Sequence, residues 1–258
     1  MSSTKRHATP ILQIAAVSVA VCASLLSARV AADTPAAPAA APTDTPATDA
    51  ASHVFSNTLR LGYYFVHYSA SAADISGPFT PSGINLRVEN LNTPYVAYLR
   101  RLSPHFDVEV AAGVPPTSHT IGVGPNYLGA VPYNGQEVAT AKWFSPSVLI
   151  EYKFCDERNA IRPFLGAGLN YTHFYERDST AAGNAANGGP TQIFLSDSFG
   201  PAGTAGVTYH ITDRFTAVAS FSIATVKSSY DSNTSGISRT TTINFHPTTW
   251  VLAAGYSF

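Results

Sequence analysis

The chain has 258 residues, with 15 Lys and Arg against 16 Asp and Glu for a formal net charge of -1, and 12% charged beside 45% hydrophobic residues. That balance, with no basic stripe along any stretch, excludes the electrostatic footprint of nucleic-acid binding. So few charges are also too few to clothe an ordinary soluble surface.

Lys5 and Arg6 precede a weakly polar to apolar stretch, Ile11 to Leu26, and a small-residue segment ending Val30-Ala31-Ala32. This is the pattern of a secretory signal peptide, residues 1–32, cut after Ala32. The stretch contains Gln13 and two serines and falls short of the ~20 residues a spanning helix needs. Cys22 lies inside it, follows the bulky Val21 and is followed by more apolar chain, so it is expected to leave with the signal. Residues 33–53 are built mainly of Ala, Pro, Thr and Asp without an aromatic ring before His53. Such a segment cannot bury enough surface to fold and is expected to be a disordered, extended periplasmic tail. Residues 54–258 show no sustained helix period and no second shift in composition, so one domain is expected.

That domain reads as strands of the ~9–11 residues that cross a bilayer, alternating lipid-facing and lumen-facing side chains. Thr58 to Tyr68 sets Leu59, Leu61, Tyr63 and Phe65 against Arg60 and Gly62, so Arg60 points inward. A long loop, Ser69 to Gly83, leads to a second run, Ile84 to Arg100, whose facing Pro94 leaves ambiguous. After the short turn Arg101 to His105, Phe106, Val108, Val110, Ala112 and Val114 alternate with Asp107, Glu109, Ala111 and Gly113. The two carboxylates belong on the lumen side, because charge facing lipid is costly.

A second long loop, Pro115 to Gln136, precedes a fourth strand over Val138 to Phe154, in which Val148, Ile150, Tyr152 and Phe154 oppose Ser147, Leu149, Glu151 and Lys153. Projected backward, that parity puts Trp143 and Ser145 inside unless a bulge at Pro146 breaks it. Cys155 to Ala160 forms a turn. In the fifth strand, Leu165, Ala167, Leu169 and Tyr171 face out while Arg162, Phe164, Gly166, Gly168, Asn170 and Thr172 face in. Arg177 to Pro190 reads as a third long loop, Phe199 to Ile211 as strand six, Thr212 to Arg214 as a turn and Phe215 to Val226 as strand seven. Lys227 to Ser238 reads as a fourth long loop and Arg239 to Phe258 as strand eight, with Trp250, Leu252, Tyr256 and Phe258 on its greasy face.

The sum is an all-β, eight-stranded antiparallel transmembrane β-barrel with short periplasmic turns, long extracellular loops and both termini in the periplasm. A lipocalin-like soluble barrel would bury the same apolar parity inward. Here Arg60, Asp107, Glu109, Glu151, Lys153 and Arg162 all share the parity opposite the aromatic one, which favours the membrane.

Two segments carry a family resemblance: Trp143-Phe144-Ser145-Pro146-Ser147-Val148-Leu149-Ile150-Glu151-Tyr152-Lys153-Phe154, and Ile161-Arg162-Pro163-Phe164-Leu165-Gly166-Ala167-Gly168-Leu169-Asn170-Tyr171-Thr172. With Asp197 to Gly203, Asp107 to Thr120 and the terminal Gly255-Tyr256-Ser257-Phe258, the chain resembles the OmpW family of outer-membrane proteins over about Thr58 to Phe258. The resemblance implies a barrel in the outer membrane of a Gram-negative bacterium with a narrow, partly hydrophobic interior, associated with passage or binding of small hydrophobic compounds. Some members are described as phage or colicin receptors. The Ala/Pro tail is longer than the pattern needs.

On this reading the partners are outer-membrane lipids, a small hydrophobic solute, and the barrel-assembly machinery through a terminal assembly strand bearing Trp250, Leu252, Tyr256 and Phe258. Lumen-lining candidates are Arg60, Glu109, Trp143, Arg162, Phe164 and Asn170. Phe164 and Trp143 either line a greasy path or plug the barrel, since eight strands enclose a space side chains can fill. The inward glycines Gly62, Gly113, Gly166, Gly168, Gly206 and Gly255 would leave room. Arg60, Glu109, Arg162, Glu151 and Lys153 are expected to pair across the lumen as a structural network. The scattered histidines give no metal-ligand spacing, and no cofactor is expected. Ser220, Ser222 and His210 could be imagined close together, but no activating motif marks them, and the chain is not expected to be an enzyme. The alternative is a structural or adhesive barrel with a plugged lumen, acting through its loops on a phage, colicin or host.

Overall fold

The computed structural model describes residues 55–258; the expected signal peptide and tail lie outside the described residues. Eight strands form the wall: β1 Asn57–Tyr68, β2 Leu91–Arg101, β3 Phe106–Gly113, β4 Ser147–Lys153, β5 Ile161–Ser179, β6 Ser198–His210, β7 Phe215–Ala224 and β8 Pro247–Ser257. Each pairs antiparallel with its neighbours, and β1 pairs with β8 from Thr58↔Ser257 to Tyr68↔Pro247, closing the barrel. Closure removes every edge, the one way a sheet can stand in hydrocarbon. Asn57 and Phe258 complete the seam by exchanging backbone hydrogen bonds of 3.1 and 2.9 Å.

The outer face is apolar. Leu61, Val148, Ile150, Leu169 and Leu252 stand exposed along its middle, with rings toward both ends: Phe106, Tyr152, Phe215 and Tyr256 near the short turns, and Phe65, Tyr171, Phe199 and Trp250 near the long connections. Two aromatic girdles bounding an apolar band are the lipid-facing surface of an outer-membrane barrel. The inner face of the lower barrel carries Arg60, Asp107, Glu109, Glu151 and Arg162, all buried.

β2 resolves the facing that Pro94 obscured. Thr93, Tyr95, Ala97 and Leu99 are buried inward, while Pro94, Val96, Tyr98 and Arg100 face out. Pro146 hosts no bulge: Phe144↔His173 and Ser147↔Asn170 share one register, so Trp143 and Leu149 keep the same facing.

Three of the expected loops are corrected. The wall continues upward beyond the lipid band in a second tier of strands, Asn85–Val88, Thr117–Val123, Glu137–Phe144, Thr191–Leu195, Lys227–Thr234 and Ile237–Asn244. Thus Pro115 to Gln136 contains a strand. Arg177 to Pro190 contains the end of β5 and a short helix, Ala181–Asn187, capped by Thr180 and by left-handed Gly188. Lys227 to Ser238 is mostly a β-hairpin arm turning at Ser235 (φ 50°) and Gly236 (φ 86°), the positive-φ pair of a type I′ turn. It escaped the period-2 test because its inward residues include Ser228, Ser232 and Thr234, which give no apolar parity.

In this upper tier the polarity of the wall inverts. Ile84, Leu86, Val138, Phe174, Ile193, Tyr230, Ile243 and Phe245 pack inward as one core, while His173, Glu176, Asp231 and Thr240 face out. Water surrounds the barrel there instead of lipid, so the ordinary apolar-in pattern returns. Where it crosses lipid the interior holds buried charges beside a packed apolar cluster of Tyr95, Ala97, Leu99, Ala111 and Val251, and above that it is an apolar core.

Candidate functional site

Where these two regimes meet, the lumen holds a narrow cavity of about 90 Å³ that is partly open to solvent. Phe174, Phe245 and Tyr68 line its upper end, Tyr64 and Trp143 its wall, and Tyr95, Leu149 and Glu109 its lower end. Phe174 stacks on Phe245 at 5.4 Å, and Tyr68 meets the same ring edge-on at 6.0 Å. A belt of hydroxyl and amide groups lies between, from Ser145, Ser147, Asn170, Thr172, Ser220 and Ser222. Asn170 is held in place, its Nδ2 donating to Ser145 Oγ at 2.9 Å and Ser147 Oγ at 3.0 Å. An apolar body with a few fixed polar groups is the usual make-up of a small-molecule pocket.

Beneath the cavity the lumen is packed. Arg60 Nη1 lies 2.5 Å from Glu109 Oε2 and 3.1 Å from Glu151 Oε1, and its Nη2 reaches Glu151 Oε2 at 3.4 Å. Lys153 pairs with Asp107 beside this group. Charges this deeply buried persist only when paired. The guanidinium carbon of Arg60 stands 5.3 Å from the Phe164 ring centroid, within cation–π range. Phe164, Leu99 and Glu151 are almost wholly buried.

Glycines that would leave room for a passage serve close packing instead. A Cβ on Gly206 would stand 2.7 Å from Phe164 Cζ and 2.6 Å from the Ala219 carbonyl, so the ring occupies the space Gly206 vacates. A Cβ on Gly62 or Gly168 would collide with the neighbouring strand.

The structure thus brings Arg60 and Glu109 together with Glu151, and sets Phe164 against them. Trp143 and Asn170 stand higher, in the cavity wall. Arg162 is separate: it donates to the carbonyls of Pro104 (2.8 Å), Cys155 (3.3 Å) and Phe154 (3.4 Å), fastening two short turns. The expected charge network therefore does not include it, because the turn carbonyls lie closer than any carboxylate. Trp250, Leu252, Tyr256 and Phe258 face outward and are exposed.

Ser220 lies opposite Gly206, whereas His210 pairs with Thr216. Four residues of strand separate the two levels, about 13 Å, out of reach for a nucleophile and its base. Among the described residues, no group of three His, Cys, Asp or Glu side chains is placed to hold a metal ion. The cavity residues Tyr64, Tyr95, Phe174 and Phe245 went unmarked in the sequence. Strand parity could have found Tyr64, Phe174 and Phe245, since they share the inward parity of Arg60, Phe164 and Val251.

Lateral access depends on the ladder. Val114 donates its N–H to the Pro94 carbonyl at 2.9 Å, yet Pro94 has no N–H to return, and Thr93 Oγ1 donates to the Val114 carbonyl instead at 2.5 Å. The next residues on that side are Pro115 and Pro116. Pairing resumes at Thr120↔Val88 in the register of Gly113↔Tyr95, so three prolines mark one thin stretch of wall.

Residues 56–258 match the family model described as the OmpW family. Over 150 residues, 58% of this chain and 66% of the relative, the sequence is 29% identical to outer membrane protein W of Vibrio cholerae. Over 146 residues, 54% of this chain and 68% of the relative, it is 27% identical to the protein of that name from Escherichia coli K12. The matched part thus spans about two thirds of these relatives' length. The crystal structure of OprG from Pseudomonas aeruginosa superimposes with a TM-score of 0.70 at 20% identity, covering 79% of this chain and 96% of that one. The solid-state NMR structure of AlkL in lipid bilayers gives 0.57 at 14% identity, covering 88% and 97%. At these identities the likeness is one of fold.

Proposed function

The chain belongs to the OmpW family, and from that premise we propose that this outer-membrane barrel captures small hydrophobic molecules in its upper lumen and passes them inward passively, without catalysis or cofactor. The observation that carries this reading is the inversion of polarity. The upper interior is an apolar core that leads down to the cavity, and beneath the cavity ion pairs and packed side chains close the lumen. A hydrophobic solute gains by leaving water for the upper chamber, but meets Arg60, Glu109, Glu151 and Phe164 on the way down. Lateral release through the thin wall at Pro94, Pro115 and Pro116 is the exit that avoids the plug.

In this reading the long connections face outside, and the short turns and both termini face the periplasm, as in outer-membrane barrels generally. Residues 1–32 direct export and residues 33–53 form a periplasmic tail. The outward strand bearing Trp250, Leu252, Tyr256 and Phe258 is the segment the assembly machinery engages.

Entry of an apolar fluorescent dye into lipid vesicles carrying the refolded chain tests the proposal. Entry faster than in empty vesicles, and abolished by Ser222→Phe, which fills the cavity, is expected; entry at the empty-vesicle rate contradicts it.

One observation favours a second reading, a plugged barrel acting through its loops on a phage, colicin or host. Phe79 is 87% exposed and Tyr127 60% exposed in the upper connections, the kind of apolar tips that partners engage.

A further inference from the structure

The cavity is not uniform along its length, and its polarity is graded. Rings close its upper end at Phe174 and Phe245, hydroxyl groups belt its middle, and the one ionisable acid among its lining residues is Glu109 at the lower end. Arg60 does not line the cavity, and its guanidinium is engaged by Glu109 and Glu151. Lys153 is likewise engaged, with Asp107. A ligand head reaching the lower end therefore meets the Glu109 carboxylate and neutral hydroxyl groups, and no available cation.

Deepening the reading above and resting on it, we propose that the cavity selects amphiphiles with a neutral or cationic hydrogen-bond-donating head, an alcohol or an amine, and rejects carboxylates. The apolar chain lies among Tyr64, Leu149, Phe174 and Phe245. The head points down to Glu109, where a hydroxyl or ammonium donates to the carboxylate. A carboxylate head placed there finds hydroxyl donors but no cation, and it stands as a second buried anion beside Glu109, which is unfavourable. An unsubstituted hydrocarbon fits the chamber but leaves the hydroxyl belt and Glu109 unanswered.

The chain has two tryptophans, Trp143 in the cavity wall and Trp250 exposed on the outer face. Trp250→Phe in the full chain therefore leaves Trp143 as a reporter inside the site. Its indole N–H has no acceptor among the described residues, so its emission is open to change by an entering ligand. The refolded protein in lipid nanodiscs is titrated with octane, 1-octanol, octylamine and octanoate at neutral pH, with Ser222→Phe as the blocked control.

Saturable changes for octanol and octylamine, with octanoate about tenfold or more weaker as expected for an uncompensated buried charge, support the proposal. So does Glu109→Gln narrowing that gap, provided gel mobility shows the variant barrel folded; the contrast among ligands stands without this variant. Equal midpoints for all four compounds overturn the head-group selection and leave capture in the chamber standing, because octane reports on the chamber alone. No change with any compound, or the same change in the blocked control, overturns both.

Discussion

Arg60 Nη1 lies 2.5 Å from Glu109 Oε2, tying β1 to β3 through the interior of the barrel. The same guanidinium also reaches Glu151 on β4, so one cation balances two carboxylates at the base of the upper chamber. Arg60→Met leaves both acids buried without a partner and is expected to lower stability by about 3–5 kcal/mol. Urea unfolding of the refolded barrel in vesicles measures this. The triple replacement Arg60→Met, Glu109→Gln, Glu151→Gln is expected to recover much of the loss, because no unpaired charge remains.

Phe164 fills the space that Gly206 leaves open and lies beside Arg60. The intact chain is therefore expected to show no discrete ion-conducting openings in a planar bilayer. Phe164→Ala removes the ring from the plug, at a stability cost of about 3–5 kcal/mol, and is expected to give measurable openings. Openings in the intact chain of the same size as in the variant would show that the plug does not close the lumen.

Pro94→Ala supplies the N–H that the β2–β3 ladder lacks, directed at the Val114 carbonyl. One added hydrogen bond of about 0.5–1.5 kcal/mol slows parting of the seam about 2- to 10-fold. Apolar dye entry is expected to slow accordingly. Pro146→Ala is expected to leave entry unchanged, because the register runs unbroken through Pro146, whose carbonyl accepts from Tyr171 N at 3.0 Å. If Pro94→Ala leaves dye entry unchanged, this seam is not the exit.

Asp197, just outside β6, accepts a hydrogen bond from Tyr171 Oη at 2.5 Å and one from His173 Nδ1 at 2.9 Å. The bond from Tyr171, and next that from His173, holds its carboxyl below the usual range. A carboxylate depressed in the folded state stabilises it fully above the unfolded value and loses that effect as pH falls through the lower folded value. This rim contact is therefore expected to be intact throughout neutral and mildly acidic pH and to open only in strong acid. Titration of the Tyr171 ring signals by NMR checks it: a transition near neutrality would contradict the assignment to Asp197.

The eight staves were legible because lipid imposes a constant rule along their outer face, and Leu59, Leu61, Tyr63 and Phe65 obey it without exception. The upper tier was hidden for the opposite reason. Its outer face meets water, so Tyr230 and Phe245 turn inward where the lipid rule sends rings outward. Trp143 and Phe164 were found as inward residues, but their division of labour was not, because height in the barrel depends on register between strands. Arg162 shared the parity of Arg60 and looked like its equivalent, yet it stands at the turn end of β5, where backbone carbonyls are what it meets.

The most direct test of capture in the upper lumen is to crystallise the refolded chain with 1-bromooctane and locate the bromine by anomalous diffraction. The expected result is a peak between the Phe174–Phe245 pair and Glu109, lost in Ser222→Phe crystals. A peak confined to the outer, lipid-facing wall, or none within the lumen, would contradict the chamber and leave the loops as the functional surface.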